Sequence, residues 1–211
     1  MSKYDIKAFN PMKVSAVILI TYAAIIGLIH GVGEILQTGS KPNSNFINAL
    51  GVTNPDKVWH AGLPAFSLIP DFLILGIITV LISTAIVILV HLLIERNYFK
   101  FFPLLFIPLF LFGGGFVPPF IGIISSTYYV IWKRTNVNNI QPSFLIKLIA
   151  KSWIYLISIL LFWLPSSWIF GWIFPAFMLQ ISFAIFILLN IILPILILVS
   201  ANLKLAIGTN E

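Results

Sequence analysis

A long apolar segment near the middle of the chain, residues 101–125, is broken at its centre by glycines and prolines. The interrupting residues are Gly113, Gly114, Gly115, Pro118 and Pro119. In a bilayer, backbone N–H and C=O groups must find partners inside the protein, so a broken helix is stable only where other segments or a cavity cover it. Such a segment either crosses the membrane once with a sharp kink, or it enters, turns and returns to the side from which it came.

The composition identifies the class of protein. Of the 211 residues, 60% are hydrophobic and only 9% are charged, and the mean hydropathy is +1.07. Because a soluble domain carries about 25% charged residues, we predict an integral membrane protein whose first partner is the lipid bilayer. Residues 1–211 are interpreted as a single polytopic domain. The net charge of +6 does not indicate nucleic-acid binding, since the basic residues are scattered at the ends of apolar runs.

Four apolar runs are predicted to be full membrane-spanning helices: residues 14–36, 72–94, 145–164 and 175–198. Residues 37–70 are more polar and form an extracytoplasmic loop between the first two spans. The broken segment, residues 103–132, has arms of ten and thirteen residues. At about 1.5 Å per residue, both arms are shorter than a bilayer core of about 30 Å. The predicted fold is therefore all-α, with four full spans and a broken central helical hairpin.

The distribution of basic residues favours the hairpin over a single crossing. If residues 103–132 return to the side they came from, ten of the twelve Lys and Arg residues share the side of both termini, and only Lys41 and Lys57 lie opposite. A full crossing would split them five to seven. Because Lys and Arg in short loops favour the cytoplasm, we expect a multi-pass protein of the cell membrane with both termini cytoplasmic. The count does not distinguish a re-entrant hairpin from two short spans.

Small and ionisable residues share one face of the first span. At 100° per residue, Ala23, Gly27, His30, Gly31 and Glu34 fall within about 100° of one another. Gly27 and Gly31 form a GxxxG pair, which allows another helix to approach closely. We therefore predict that Ala23, Gly27 and Gly31 are helix-packing residues. His30 and Glu34 are expected to face protein and to meet each other at i, i+4 spacing.

A candidate polar or metal cluster follows from this placement. His30 and Glu34 lie in the outer third of the first span, on the side where the loop supplies His60 and the second span begins after Asp71. Two imidazoles and two carboxylates are able to ligate a divalent metal such as Zn²⁺, to relay protons, or to act as acid and base. The alternative interpretation is structural, with His30 paired to Glu34, Asp71 capping a helix and His60 in solvent.

Other sites have weaker support. A haem between His30 and His91 is disfavoured, because His91 belongs to the inner end of the second span and His30 to the outer end of the first. The chain has no cysteine, and therefore no thiolate ligand or thiol nucleophile. Neither a phosphate-binding loop nor a nucleophile elbow is present. Asn190, near the middle of the last span, is expected to hydrogen-bond another helix, and Pro194 is expected to kink that span.

Three functional hypotheses remain open. We favour a non-enzymatic subunit or transport-related component that packs against other membrane proteins or itself, since a GxxxG face and a broken hairpin occur with few polar groups to line a solute path. The second hypothesis is an intramembrane enzyme or metal-binding protein built on His30, Glu34, His60 and Asp71. The third is an immunity-type membrane protein, suggested by the small size of the chain and the lack of catalytic motifs.

Overall fold

Helices account for most of the chain in the computed structural model, which describes residues 10–39, 44–47, 65–93, 98–134, 143–174, 176–177, 180 and 188–208. The helices are α1 (Pro11–Ile35), α2 (Phe72–Leu93), α3 (Phe102–Leu111), α4 (Val117–Arg134), α5 (Phe144–Ile173) and α6 (Leu193–Gly208). A 3₁₀ turn at Tyr98–Phe101 leads into α3, and a π-helical turn at Leu188–Ile192 leads into α6. Two short strands, β1 (Phe46–Ile47) and β2 (Ala65–Phe66), pair antiparallel.

The prediction of four helices long and apolar enough to cross a membrane is confirmed. Within the described residues, these helices are Pro11–Ile35, Phe72–Leu93, Phe144–Gly171 and Leu188–Ile207, with 25, 22, 28 and 20 residues. The stretch Phe99–Leu111 is a shorter apolar helix. At about 1.5 Å per residue each long helix matches or exceeds a bilayer core of about 30 Å. The chain is therefore a helical, multi-pass membrane protein.

Side-chain caps set where three of the long helices begin. The carboxamide oxygen of Asn10 accepts from the Lys13 N–H at 3.0 Å, and Pro11 occupies the first helical position. Asp71 caps α2 by accepting from the Ile74 N–H at 3.0 Å. Ser143 caps α5 by accepting from the Ile146 N–H at 3.4 Å. Each cap satisfies one of the N–H groups that a helix leaves without an internal partner.

Consecutive helices run in alternate directions. Gly31 of α1 lies against Gly76 of α2, near the end of one helix and the beginning of the other. Rings of Phe99 and Tyr129 are 4.3 Å apart, so the 3₁₀ turn before α3 meets the end of α4. The Trp153 indole donates to the Ser15 hydroxyl at 2.7 Å, which aligns the beginnings of α5 and α1.

This alternation gives the helix bundle two chemically different ends. We call the end at which α1 and α5 begin and α2, α4 and α6 end the basic end. Every Lys and Arg residue that the structure describes lies there: Lys13, Lys100, Lys133, Arg134, Lys147, Lys151 and Lys204. The opposite end, which carries β1, β2 and the turn between α3 and α4, is called the loop end. Both described carboxylates, Glu34 and Asp71, belong to the loop end.

Two helices extend beyond their predicted spans. We predicted a span that ends at residue 164, but α5 continues through Pro165 to Ile173. Proline is tolerated inside membrane helices because neighbouring helices and Ser side chains compensate the backbone, and the Ser167 hydroxyl donates to the Leu164 carbonyl at 2.7 Å. Of the last predicted span, residues 175, 178–179 and 181–187 lie outside the described residues, and the helix that is described from Leu188 continues past residue 198 to Gly208. Apolar runs mark the part of a helix that lies in lipid, and the helix itself can be longer.

A candidate functional site at the glycine turn

The turn between α3 and α4 has a defined geometry. Phe112 is the C-cap of α3, and Gly113 follows with φ of +88°. The Gly114 N–H donates to the Leu109 carbonyl at 2.8 Å, which is the long bond of a Schellman motif. Gly115 also has a positive φ, +76°. Residues with a Cβ are strained in this left-handed region, so the chain reverses here because glycine occupies both positions.

The two prolines of the break lie just after the turn, within the first turn of α4. That helix begins at Val117, and Pro118 and Pro119 are both buried. The first N–H groups of a helix have no internal partner, so a missing proline N–H has no cost there. The break is therefore a helix end followed directly by a helix start.

Contacts with β2 and α2 hold the turn in place. The Gly113 N–H donates to the Phe66 carbonyl at 2.9 Å, and the Leu68 N–H donates to the Leu111 carbonyl at 3.1 Å. Ser67 and Phe112 are bridged antiparallel between these bonds. The Thr79 hydroxyl of α2 donates to the Phe112 carbonyl. The chain between α3 and α4 is therefore joined to the segment that follows β2 by a single antiparallel bridge.

Aromatic rings cover the same segment. Phe66 stacks on Phe110 with a centroid distance of 5.8 Å and an interplanar angle of 15°. Phe46 of β1 meets Phe66 edge to face at 5.5 Å, and Phe116 meets Phe110 at 5.3 Å. Such pairs add about 0.5–1.5 kcal/mol each beyond the area they bury. Together they stabilise the position of the turn relative to β1 and β2.

Glu34 lies against this turn. Its side chain is 4% exposed. A Cβ added to Gly113 would lie 2.1 Å from Glu34 Oε1, so the carboxyl touches the glycine backbone directly. Neither carboxyl oxygen has a hydrogen-bond partner among the residues that the structure describes. The Thr79 hydroxyl lies beside the carboxyl, and the carbonyls of Leu75 and Phe112 both lie within hydrogen-bond distance of this single donor.

His30 meets the same turn one helical turn earlier on α1. A Cβ added to Gly115 would lie 2.7 Å from His30 Nε2 and 3.0 Å from Cε1. The imidazole is half-buried. The structure thus brings together two features that the sequence analysis treated separately, the His30 and Glu34 pair and the glycines of the broken hairpin. We regard this junction, made of His30, Glu34, Thr79 and residues 113–115, as the candidate site and call it the turn site.

The proposed helix-packing glycines lie against α2. A Cβ added to Gly27 would lie 2.7 Å from the Ser83 hydroxyl, and one added to Gly31 would lie 2.9 Å from the Val80 backbone nitrogen. Ala23 is fully buried. Close approach of α1 and α2 at these small residues places Thr79 beside Glu34 in the turn site.

The remaining members of the predicted cluster are not gathered here. Asp71 caps α2 through the Ile74 N–H, as in the structural interpretation, and His60 lies outside the described residues. Within the described ranges, no group of three or more His, Cys, Asp or Glu side chains is placed to hold a metal ion. His91 is exposed near the basic end of α2, at the opposite end of the bundle from His30.

Sequence reasoning missed the contribution of α2. Gly76, Thr79 and Ser83 are buried on the face that meets α1 and the turn. Their spacing of three and four residues in an otherwise aliphatic helix was the available signal. Asn190 contacts another helix as expected, since the Tyr22 hydroxyl donates to its side-chain oxygen at 3.4 Å. Comparison of the chain with protein-family models, curated proteins and solved structures finds no match.

Proposed function

We propose that this chain is a non-enzymatic, transport-related component of the cell membrane in which the turn site carries the function. The observation that carries the proposal is the buried Glu34 carboxyl, unpaired among the described residues and in contact with the break of a helical hairpin. Ionisable groups inside membrane helices are costly and mark ion or proton pathways. Transporters commonly form such sites where a membrane helix is interrupted.

The orientation we propose places the basic end in the cytoplasm. All seven described Lys and Arg residues lie at that end, and positive charge near helix ends favours the cytoplasmic side. Both termini would then be cytoplasmic, and the loop end would face outward. The α3–α4 pair would be a hairpin that enters from the cytoplasmic side and returns to it.

Packing distances support the hairpin. Phe99 meets Tyr129, and a Cβ added to Gly122 would lie 2.1 Å from the Phe106 ring, so α3 and α4 lie in close antiparallel contact along their length. The ten residues of α3 cover about 15 Å, which is half of a bilayer core. The turn lies beneath β2, whose backbone bonds it. These features favour a buried, re-entrant arrangement over a single crossing.

Labelling tests the orientation directly, because the chain contains no cysteine of its own. Thr38→Cys places a thiol just after α1 at the loop end, and Lys133→Cys places one at the end of α4. An impermeant maleimide on intact cells should modify the first and spare the second until the membrane is permeabilised. Modification of Lys133→Cys on intact cells would refute the proposed topology.

A partner is part of the proposal. Among the described residues, buried polar side chains are few and most are single Ser hydroxyls, so this part of the chain does not line a wide polar path on its own. The long helix α5 packs mainly on α6 and exposes many large apolar side chains, including Phe144, Tyr155 and Phe162. We propose that other membrane subunits, or a second copy, pack beside it. Native mass analysis in mild detergent should give an assembly, and a lone monomer would contradict this part.

Flux measurement tests the transport role. The purified assembly is reconstituted into vesicles that enclose a pH-sensitive dye, and proton movement is followed after a pH jump. We expect a protein-dependent flux that Glu34→Gln reduces at least tenfold, with Asp71→Asn as the matched control. A flux that Glu34→Gln leaves unchanged would rule out a transport role for the turn site.

A further inference from the structure

The contacts around Glu34 identify what the turn site binds. We propose that Glu34 is a proton-binding site: in the packed state its carboxyl is a neutral acid, and loss of the proton releases the glycine turn from α1. This inference rests on the proposed transport-related function and names the ligand of that same site.

The first argument is the lack of room. Glu34 lies very close to Gly113. A Cβ added to Gly113 would lie 2.1 Å from Glu34 Oε1 and 2.8 Å from both the carboxyl carbon and Oε2. A hydrated metal ion needs several oxygen ligands at 2 Å or more, which this contact does not leave space to arrange. A proton adds no volume. Among simple cations it is therefore the one that fits the packed site.

The second argument is the absence of compensating charge in the described part of the chain. From α1 the neighbouring polar group is His30, from α2 it is the Thr79 hydroxyl, and from the hairpin it is glycine backbone. The described Lys and Arg residues all lie at the basic end, far along the bundle. An ionised carboxylate buried without a donor is strongly disfavoured. A protonated carboxyl is the form that this surrounding accommodates.

The step that follows is simple in chemical terms. When the turn opens transiently, the O–H bond of the Glu34 carboxylic acid breaks, the proton passes to the water that enters, and the bonding electron pair stays on the carboxylate. That carboxylate then needs water or donors. The contact that excludes them is the Gly113 backbone, so the turn must move away from α1 or the group must bind its proton again. The proton thus selects between a closed and an open position of the turn.

Carbodiimide labelling tests the protonated state. Dicyclohexylcarbodiimide partitions into lipid and adds to a carboxyl that carries its proton, which raises the mass of the protein by one reagent. We expect a single adduct, mapped to Glu34 by fragment mass, whose yield rises at least fivefold from pH 9 to pH 6. Asp71→Asn should label like the wild type, and Glu34→Gln should not label at this position. Fragment mapping on the wild type gives the result even if a variant fails to fold.

A cysteine at Phe116 tests the release of the turn. Phe116 follows the glycines and is 37% exposed. The rate at which Phe116→Cys reacts with a soluble maleimide is divided by the rate for the same cysteine in a protein that also carries Glu34→Gln. Because both proteins contain the same thiol, this ratio cancels the pH dependence of the thiol itself. We expect the ratio of the two rates to rise at least threefold between pH 6 and pH 9. A ratio that stays constant would overturn the proposed movement.

The outcomes separate this inference from the proposed function. An adduct that never forms on Glu34, or whose yield is independent of pH, overturns proton binding even if vesicle flux depends on Glu34. A pH-dependent adduct at Glu34 supports the inference, and the absence of any flux effect of Glu34→Gln would then count against the transport role alone.

Discussion

The two ends of the α3–α4 hairpin are built in different ways. At the open end, near the basic residues, Phe99 and Phe102 are 1% and 2% exposed, and the Phe99 ring packs against both Phe102 and Tyr129. At the closed end, glycine backbone touches a carboxyl and an imidazole. The first end is an apolar core contact in which the rings of Phe99 and Phe102 are buried. The second has a buried carboxyl, Glu34, without a hydrogen-bond partner among the residues that the structure describes. We infer that the open end stabilises the hairpin and that the closed end gives it a function.

Removal of a ring at the open end should have the largest effect. Phe102→Ala should lower the free energy of unfolding by about 3–5 kcal/mol, because a buried aromatic side chain leaves a cavity. Reversible unfolding in mixed detergent–SDS micelles measures the change. Phe120→Ala, at a position 39% exposed on the same hairpin, is the control and should cost much less. Equal losses would mean that the open end is not the stabilising one.

At the closed end, Gly113→Ala should be destabilising for two separable reasons. Both Gly113 and Gly39 have positive φ, +88° and +98°, but nothing lies within 4 Å of a Cβ added to Gly39. Gly39→Ala is the control. Backbone strain alone should cost Gly113→Ala and Gly39→Ala about 1–2 kcal/mol each, and contact with Glu34 should add about 1–3 kcal/mol for Gly113→Ala. The same unfolding assay gives the difference.

A second change tests that assignment. Glu34→Ala removes the atoms that Gly113→Ala would meet, so the double variant should recover the difference between Gly113→Ala and Gly39→Ala. If the double variant is as unstable as the sum of the single ones, the carboxyl is not what the turn rests against.

Thr79→Val should have a smaller effect at the closed end. The change keeps the shape but leaves the Phe112 carbonyl without its hydroxyl donor, which costs about 1–3 kcal/mol. Thr84→Val on the same helix, about 140° around from Thr79 at 100° per residue, is the matched control. We expect the unfolding free energy to fall for Thr79→Val and to change little for Thr84→Val; the reverse order would contradict the anchoring role of Thr79.

Lys204→Met should have the smallest effect, at the basic end. The Lys204 ammonium lies 4.7 Å from the centroid of the Trp153 ring, and such cation–π contacts are worth about 0.5–1 kcal/mol when exposed. Lys147→Met, at an exposed position of α5, removes the same charge without this ring. If both variants unfold alike, the contact contributes nothing measurable.

Much of the architecture followed from the sequence because lipid imposes a simple rule on it. Apolar runs of about 20 residues mark spans, and the position of the break follows from Gly113 and Gly115, which the turn requires. The described basic residues all lie at one end of the bundle, which is the kind of separation that the charge count assumed. Local composition carries these features, so no knowledge of contacts between distant residues was needed.

The turn site could be predicted only in part. The spacing of His30 and Glu34 gave their shared face, but the sequence does not say that a turn almost 80 residues later lies against them. That contact depends on the depth of the hairpin and on backbone bonds to Phe66 and Leu68, which no side-chain pattern encodes. Pairing of strands as short as β1 and β2 is equally invisible, because two residues give no alternation to detect.

The backbone bonds between β2 and the glycine turn have a mechanical consequence. The Gly113 N–H donates to the Phe66 carbonyl at 2.9 Å, and the Leu68 N–H donates to the Leu111 carbonyl at 3.1 Å. These two bonds join residues 66–68 to residues 111–113, which lie against Glu34. A displacement of Ala65–Phe66 is therefore transmitted to Gly113 through main-chain hydrogen bonds and not through flexible side chains. A partner that binds β2 at the loop end is therefore coupled through main-chain atoms to the turn that covers Glu34.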